Sequence, residues 1–198
     1  LSGLALALNP LRVLTAEEAA TALAPSPFLT IGSDDVITIV VGHSEMGQGA
    51  RTALPMLIAE ELGVTLERVK LVQASPSKVF KDLGTGGSDS VESGWTPLRD
   101  AGAAAREMLV SAAAARWGVP RAECTADGGT VRHEPSRRST SYGSLAAAAS
   151  KLSVPKNPPW RAREERRLIG KRVARVDGPA IVTGKAEIGR ASCRERVF

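Results

Sequence analysis

Two stretches of this sequence carry residue types that could do chemistry. The first is Val41-Gly-His-Ser-Glu-Met-Gly-Gln-Gly49, which follows the apolar run Val36–Val41 and precedes a helix-like run, Thr52–Leu62. A strand that ends in glycines and feeds a helix start presents backbone N–H groups, and these favour anionic ligands. The motif lacks the Lys-Ser/Thr of a phosphate-binding P-loop and the GxGxxG spacing of a dinucleotide fold. The second stretch is Leu83-Gly-Thr-Gly-Gly-Ser-Asp-Ser90, where Thr85, Ser88 and Ser90 set hydroxyls among backbone N–H groups. Each stretch lies between a predicted strand and a helix start. Two convergent helix N-termini suit a ligand with more than one anionic group, such as a pyrophosphate. The glycine spacing alone leaves two unrelated strand-to-helix turns equally open.

The elements that must position these loops are legible in part. Phe28–Gly32 and Val36–Val41 are β-rich runs separated by Gly-Ser-Asp-Asp, a hairpin signal. Leu54, Leu57, Ile58, Ala59 and Leu62 have helical spacing, and Gly63 is a natural helix end. Pro55 is tolerated only in a first turn, so regular pairing is expected to begin no earlier than Thr52. The amides of Gly47 to Arg51 would then stay free for a ligand. Val69–Gln73 alternates as a strand. The spacing predicts a long helix from Ser90 to Trp117, with a small inner face of Ala101, Ala104, Ala105, Met108, Leu109 and Ala112. Pro97 either kinks that helix or marks its real first turn. Gly118 and Pro120 stop it. Ala122–Arg132 reads as a hairpin around Asp127-Gly128, and Thr140–Ala149 as a short capped helix. Upstream, Thr15-Ala-Glu-Glu18 is a capping box into a short helix that Pro25 and Pro27 end.

The totals narrow the function classes. A chain of 198 residues allows one or two domains, and 43% hydrophobic with 24% charged residues is the composition of a soluble globular protein. Aromatics make up 4%, so the core must come from Ala, Val, Leu and Ile. The formal charge is +5, and the basic residues gather in Arg161–Arg167 and Lys171-Arg172. No aromatic platform or reading helix accompanies them, so a solvated linker is favoured and no nucleic-acid partner is expected. The two cysteines, Cys124 and Cys193, and the two histidines, His43 and His133, have no metal-site spacing. No run approaches the roughly 20 apolar residues of a membrane span.

Both ends look unusual. Leu1–Leu8 suits the apolar part of a secretory signal peptide, and equally the first turn of a surface helix; periplasmic localisation is favoured over cytoplasmic. Glu187–Phe198 resembles the translation of a sequencing adapter, so residues 187–198 are expected to be non-biological and the chain a fragment cut at both ends.

Taken together, Gly42–Gly49 with Thr52–Leu62, Gly84–Arg99, Ser141–Ala146 and Leu168–Asp177 resemble the molybdopterin-binding large subunit of the xanthine dehydrogenase/aldehyde oxidase family, of the isoquinoline 1-oxidoreductase beta-subunit type. The resemblance implies an α/β (α+β) fold: a molybdopterin-binding domain portion over residues 26–152, a linker over 153–167, and the truncated start of an α/β hammerhead domain over 168–186. Residues 1–25 would be the signal remnant and lead-in. The cofactor-binding residues it implies are Met46, Gly47, Gln48 and Gly49 in the first loop and Gly86, Gly87, Ser88 and Ser90 in the second. Asp89 departs from the family pattern, since a carboxylate beside a phosphate is unfavourable unless it points away.

The implied cofactor is molybdenum–molybdopterin in its cytosine dinucleotide form. The implied partners are a small subunit carrying 2Fe-2S clusters, a cytochrome c electron acceptor and a small-molecule substrate. The implied reaction is hydroxylation of an aldehyde or N-heterocycle with oxygen from water. The family's catalytic glutamate lies past Ala186, so no catalytic residue is assigned, and Glu45 is read as facing solvent or capping its loop. The competing class is a non-catalytic α/β module for a phosphate-bearing ligand. Residues 168–186 are expected to be poorly packed or exposed, as the first strands of a sheet whose remainder is missing.

Overall fold

Alternating apolar residues build the central sheet. In the computed structural model, which describes residues 21–77, 79–80 and 83–186, strands β1 (Leu23–Ser26), β2 (Leu29–Ile31), β3 (Ile37–Val41) and β4 (Val69–Gln73) lie in the order β1-β2-β3-β4. The expected hairpin is present: β2 and β3 are antiparallel, with Leu29 opposite Ile39 and Ile31 opposite Ile37. Leu29, Ile31, Ile37, Ile39 and Val41 all face the core. Strand β4 runs parallel to β3, Ile37 opposite Val69 and Val41 opposite Gln73. A parallel neighbour requires a crossover, which helix α1 (Ala50–Leu62) supplies.

Helix α2 (Ser90–Trp117) has the predicted limits and carries Pro97 inside it, beyond the first turn. Its small inner face lets it lie close against α1. A Cβ on Gly102 would stand 2.5 Å from the Ile58 carbonyl oxygen and 3.0 Å from the Glu61 Cβ. Both helices end on left-handed glycines, Gly63 and Gly118, where a side chain would be strained. A second sheet follows, β5 (Cys124–Asp127), β6 (Thr130–His133) and β7 (Arg138–Ser141), all antiparallel. Helix α3 (Tyr142–Ala149) is capped by Ser141, whose Oγ accepts from the Ser144 amide. The buried Tyr142 hydroxyl donates to the Leu62 carbonyl at 2.9 Å, tying α3 to the end of α1.

The structure corrects several sequence expectations. Pro25 was expected to stop a helix, but it sits in β1, an edge strand paired irregularly with β2. An edge position tolerates a residue with no N–H. Strand β7 has no apolar alternation and was not foreseen.

Residues 168–177 do not form the expected strands. The amides of Leu168 and Ile169 donate instead to the Glu60 carboxylate at 2.7 and 2.8 Å. Leu168, Ile169, Val173 and Val176 pack half-buried on the core. Gly170, Lys171, Arg172 and Ala174 are exposed as expected, and helix α4 (Gly178–Val182) leaves Ile181 and Val182 open to solvent.

The stretch predicted as a linker is largely exposed but is anchored on α1 through Arg161. Glu61, fully buried, accepts from Arg99 Nε at 2.8 Å and from the Arg161 amide at 2.7 Å, and pairs with Arg106 at 3.1 Å. The Arg99 guanidinium lies between the rings of Trp95 and Trp160, 5.0 and 4.1 Å from their centroids. Adjacent glutamates on one helix thus hold the chain that returns across it. The capping box at Thr15, the first twenty residues and the tail from Glu187 lie outside the described residues.

Candidate cofactor-binding site

The two glycine-rich loops belong to neighbouring parallel strands and sit beyond their carboxyl ends, where open α/β sheets place ligands. Gln73, the last residue of β4, donates from Nε2 to the carbonyls of Val41 and His43 at 3.0 and 3.3 Å. The loops also touch directly. His43 Nδ1 meets the Gly84 carbonyl at 2.9 Å; a carbonyl only accepts, so this nitrogen carries the proton. Thr85 Oγ1 donates to the Ser44 carbonyl at 3.0 Å.

A cavity of about 310 Å³ lies between them, lined by Met46, Gln48, Ala50, Ala53, Thr85, Gly86, Gly87, Ser88, Ser90 and Val91. Of the eight residues predicted to bind the cofactor, six line this cavity: Met46, Gln48, Gly86, Gly87, Ser88 and Ser90. Gly47 and Gly49 shape the loop beneath it, at φ +104° and +88°. At Gly47, Gly49 and Gly86 an added Cβ would meet nothing within 4 Å. Asp89 is not among the lining residues, and its amide turns back to the Gly86 carbonyl.

The amides of the first loop are arranged otherwise than expected. The first helical pairing is that of the Thr52 and Ala53 amides with the Gly49 carbonyl, but α1 begins at Ala50, so Pro55 lies inside the helix beyond the first turn rather than within it as expected. Three of the five amides from Gly47 to Arg51, however, are not left for a ligand. Glu45 Oε1 accepts from Gly47 and Gly49 at 2.8 and 3.0 Å, and Oε2 accepts from Arg51 at 2.9 Å. Gln48 is spent within the loop as well: its Oε1 accepts from the Met46 amide and its Nε2 donates to the Ser44 carbonyl. Glu45 therefore caps the loop, one of its two expected roles. Burial pushes its carboxyl up, but the amides of Gly49, Arg51 and Gly47 and the Arg175 charge outweigh this and hold it below the ordinary glutamate value.

Sequence reasoning missed Arg175. Its Nη1 donates to the Gly47 carbonyl at 2.9 Å, its Nη2 stands 3.3 Å from Glu45, and Asp177 holds the guanidinium from the other side at 2.9 and 2.7 Å. The only local signal is Arg-Val-Asp, a cation two residues before an anion.

These residues suit a large polyanionic cofactor. The second loop offers hydroxyls and glycine backbone facing open space, and the first offers a preformed floor. Among the described residues no group of His, Cys, Asp and Glu is placed to hold a metal.

Fold and site thus define an α/β domain with a cavity between two glycine-rich loops. The sequence pattern of the molybdopterin cofactor-binding domain matches residues 3–175. The chain belongs to that family. It is 39% identical over 152 residues to the beta subunit of isoquinoline 1-oxidoreductase from Brevundimonas diminuta, an alignment that covers 73% of this chain and 19% of that protein. It is 32% identical over 160 residues to one of the subunits of nicotinate dehydrogenase from Pseudomonas putida, covering 80% of this chain and 13% of the relative. The chain therefore spans less than a fifth of the length of these relatives, both named as components of oxidoreductases. Among solved structures, a Cu,Mo-CO dehydrogenase shares the fold at a TM-score of 0.50 and 22% identity, over 61% of this chain and 15% of that one.

Proposed function

We propose that this chain supplies two walls of the cradle for the dinucleotide form of molybdenum–molybdopterin, with cytosine as its base, in a molybdenum-dependent oxidoreductase. The observation that carries the reading is the cavity shared by the Met46–Gly49 and Gly84–Ser90 loops. Gly86 and Gly87 allow close approach of pyrophosphate oxygens to the backbone, and the hydroxyls of Thr85, Ser88 and Ser90 can donate to them. Met46, 71% exposed at the mouth, offers an apolar edge to a ring. The bound cofactor would supply the redox chemistry, while the protein orients it and excludes water.

The substrate class we propose is an aldehyde or N-heterocycle, hydroxylated at carbon with oxygen from water. The relatives' names support this class. Electrons would pass to a small 2Fe-2S subunit and from there to a cytochrome c. The protein is tested after purification from a host that makes the cofactor. Molybdenum measured by mass spectrometry and pterin measured by fluorescence after oxidation are expected in equal amounts. A phosphate-bearing ligand retained without either would sink the reading and leave a non-catalytic binding module.

A further inference from the structure

The first cofactor loop is held from a distant part of the chain. Its carboxylate brace, Glu45, has a side chain only 15% exposed and would be left with uncompensated charge without a cation beside it. Arg175, 128 residues beyond Gly47, supplies that cation and also caps the Gly47 carbonyl. A neighbouring contact fixes the approach: the Val176 amide donates to Thr52 Oγ1 at 3.1 Å, and Thr52 is buried in the first turn of α1. Asp177 holds Arg175 by a forked pair of bonds, which restricts the guanidinium to one orientation. Of these three residues Arg175 alone grips the loop, while Val176 ties it to the first turn of α1 and Asp177 sets its orientation.

We propose that Arg175 is a positioning residue for the cofactor cradle: residues 175–177 lock the Met46–Gly49 loop, so the cradle is set only when this segment is docked. The role of the locked loop rests on the cofactor reading above, whereas the lock itself is a property of the free protein. Lysine at this position keeps the charge but cannot form the fork, so it serves as a graded variant.

The test is amide hydrogen exchange of the full chain without cofactor, comparing wild type with Arg175→Gln and Arg175→Lys. The expected result is faster exchange at Gly47, Gly49 and Arg51, roughly fivefold in Arg175→Gln and less in Arg175→Lys, with α2 amides unchanged. Unchanged exchange at those three amides overturns the lock. An equal rise throughout α1 and α2 also overturns it, because the residue would then act on global stability. Pterin content is read in parallel on cofactor-loaded protein. A wild type without pterin counts against the cofactor reading and leaves the exchange result to decide the lock. A wild type with pterin is expected to lose it severalfold faster on gel filtration once Arg175→Gln is introduced.

Discussion

The two loops of the cradle meet one cavity but are built by opposite means. The Met46–Gly49 loop is satisfied from within: Glu45 takes two of its amides and that of Arg51 in α1, Gln48 bridges it, and glycines occupy its positive-φ positions at Gly47 and Gly49. The Gly84–Asp89 loop leans on its neighbour through His43 and Thr85. It also places Ser88, which has a Cβ, at φ +59°. A non-glycine residue in the left-handed region costs about 1 kcal/mol or more, and such strain gathers at ligand clamps. The difference separates two tasks. One loop is a finished floor; the other holds its hydroxyls and backbone toward the space a ligand would fill.

The hardest way to break the comparison is to remove the frame both loops share. Glu61→Ala would leave Arg99, buried against two tryptophans, without its anion. The expected cost is about 3–5 kcal/mol in denaturant unfolding, with both loops lost together. If instead one loop keeps its exchange protection in that variant, the two do not depend on a common frame. Glu45→Gln strikes the floor alone. It exchanges a carboxylate that serves three amides for a group with one accepting oxygen, and local opening at Gly47, Gly49 and Arg51 should become easier by about 2 kcal/mol. Protection near Ser88 is expected to change little.

Ser88→Gly acts on the other loop in the opposite direction. Relief of the left-handed strain should stabilise the cofactor-free protein by roughly 1 kcal/mol, in part offset by the greater freedom of glycine when unfolded. Pterin retention should fall because a hydroxyl is gone. Higher stability with undiminished pterin would show that Ser88 is merely strained.

The smallest effect is that of pH. The Glu45 carboxyl is held below its ordinary value of 4.5 in the folded loop, so its contribution is complete above that value and is lost as pH falls through the lower folded value. Exchange at Gly47, Gly49 and Arg51, corrected for intrinsic rates, should accelerate below pH 4.5 relative to Thr52 and Ala53, whose partner is a carbonyl. Loosening above that pH would mean another group holds the floor.

Much of this protein was legible in its sequence. The alternation of Leu29 to Val41 specified a hairpin, since a period of two has one buried face. The alanines of 101–112 announced a close helix neighbour, whereas Pro55 was misplaced, since it lies inside α1 beyond the first turn. The spacing of the glycine-rich loops left ordinary strand-to-helix turns equally open, and it was their resemblance to molybdopterin-binding proteins that led to the family. Side-chain partners far apart in the chain could not be read. Glu45 could be placed as a cap, but not its counter-ion Arg175. Neither Glu60 nor Glu61 stood out in the sequence, and only packing showed them buried beneath the chain from Arg161 to Ile169. In that segment the amides of Arg161 and of Arg167 to Ile169 go to carboxylates on α1. Local propensity acts on neighbours in sequence and so determined the elements and the two loops. Only tertiary structure decided how buried charges are neutralised, because each carboxylate in the core must find whatever donor the fold brings within about 3 Å.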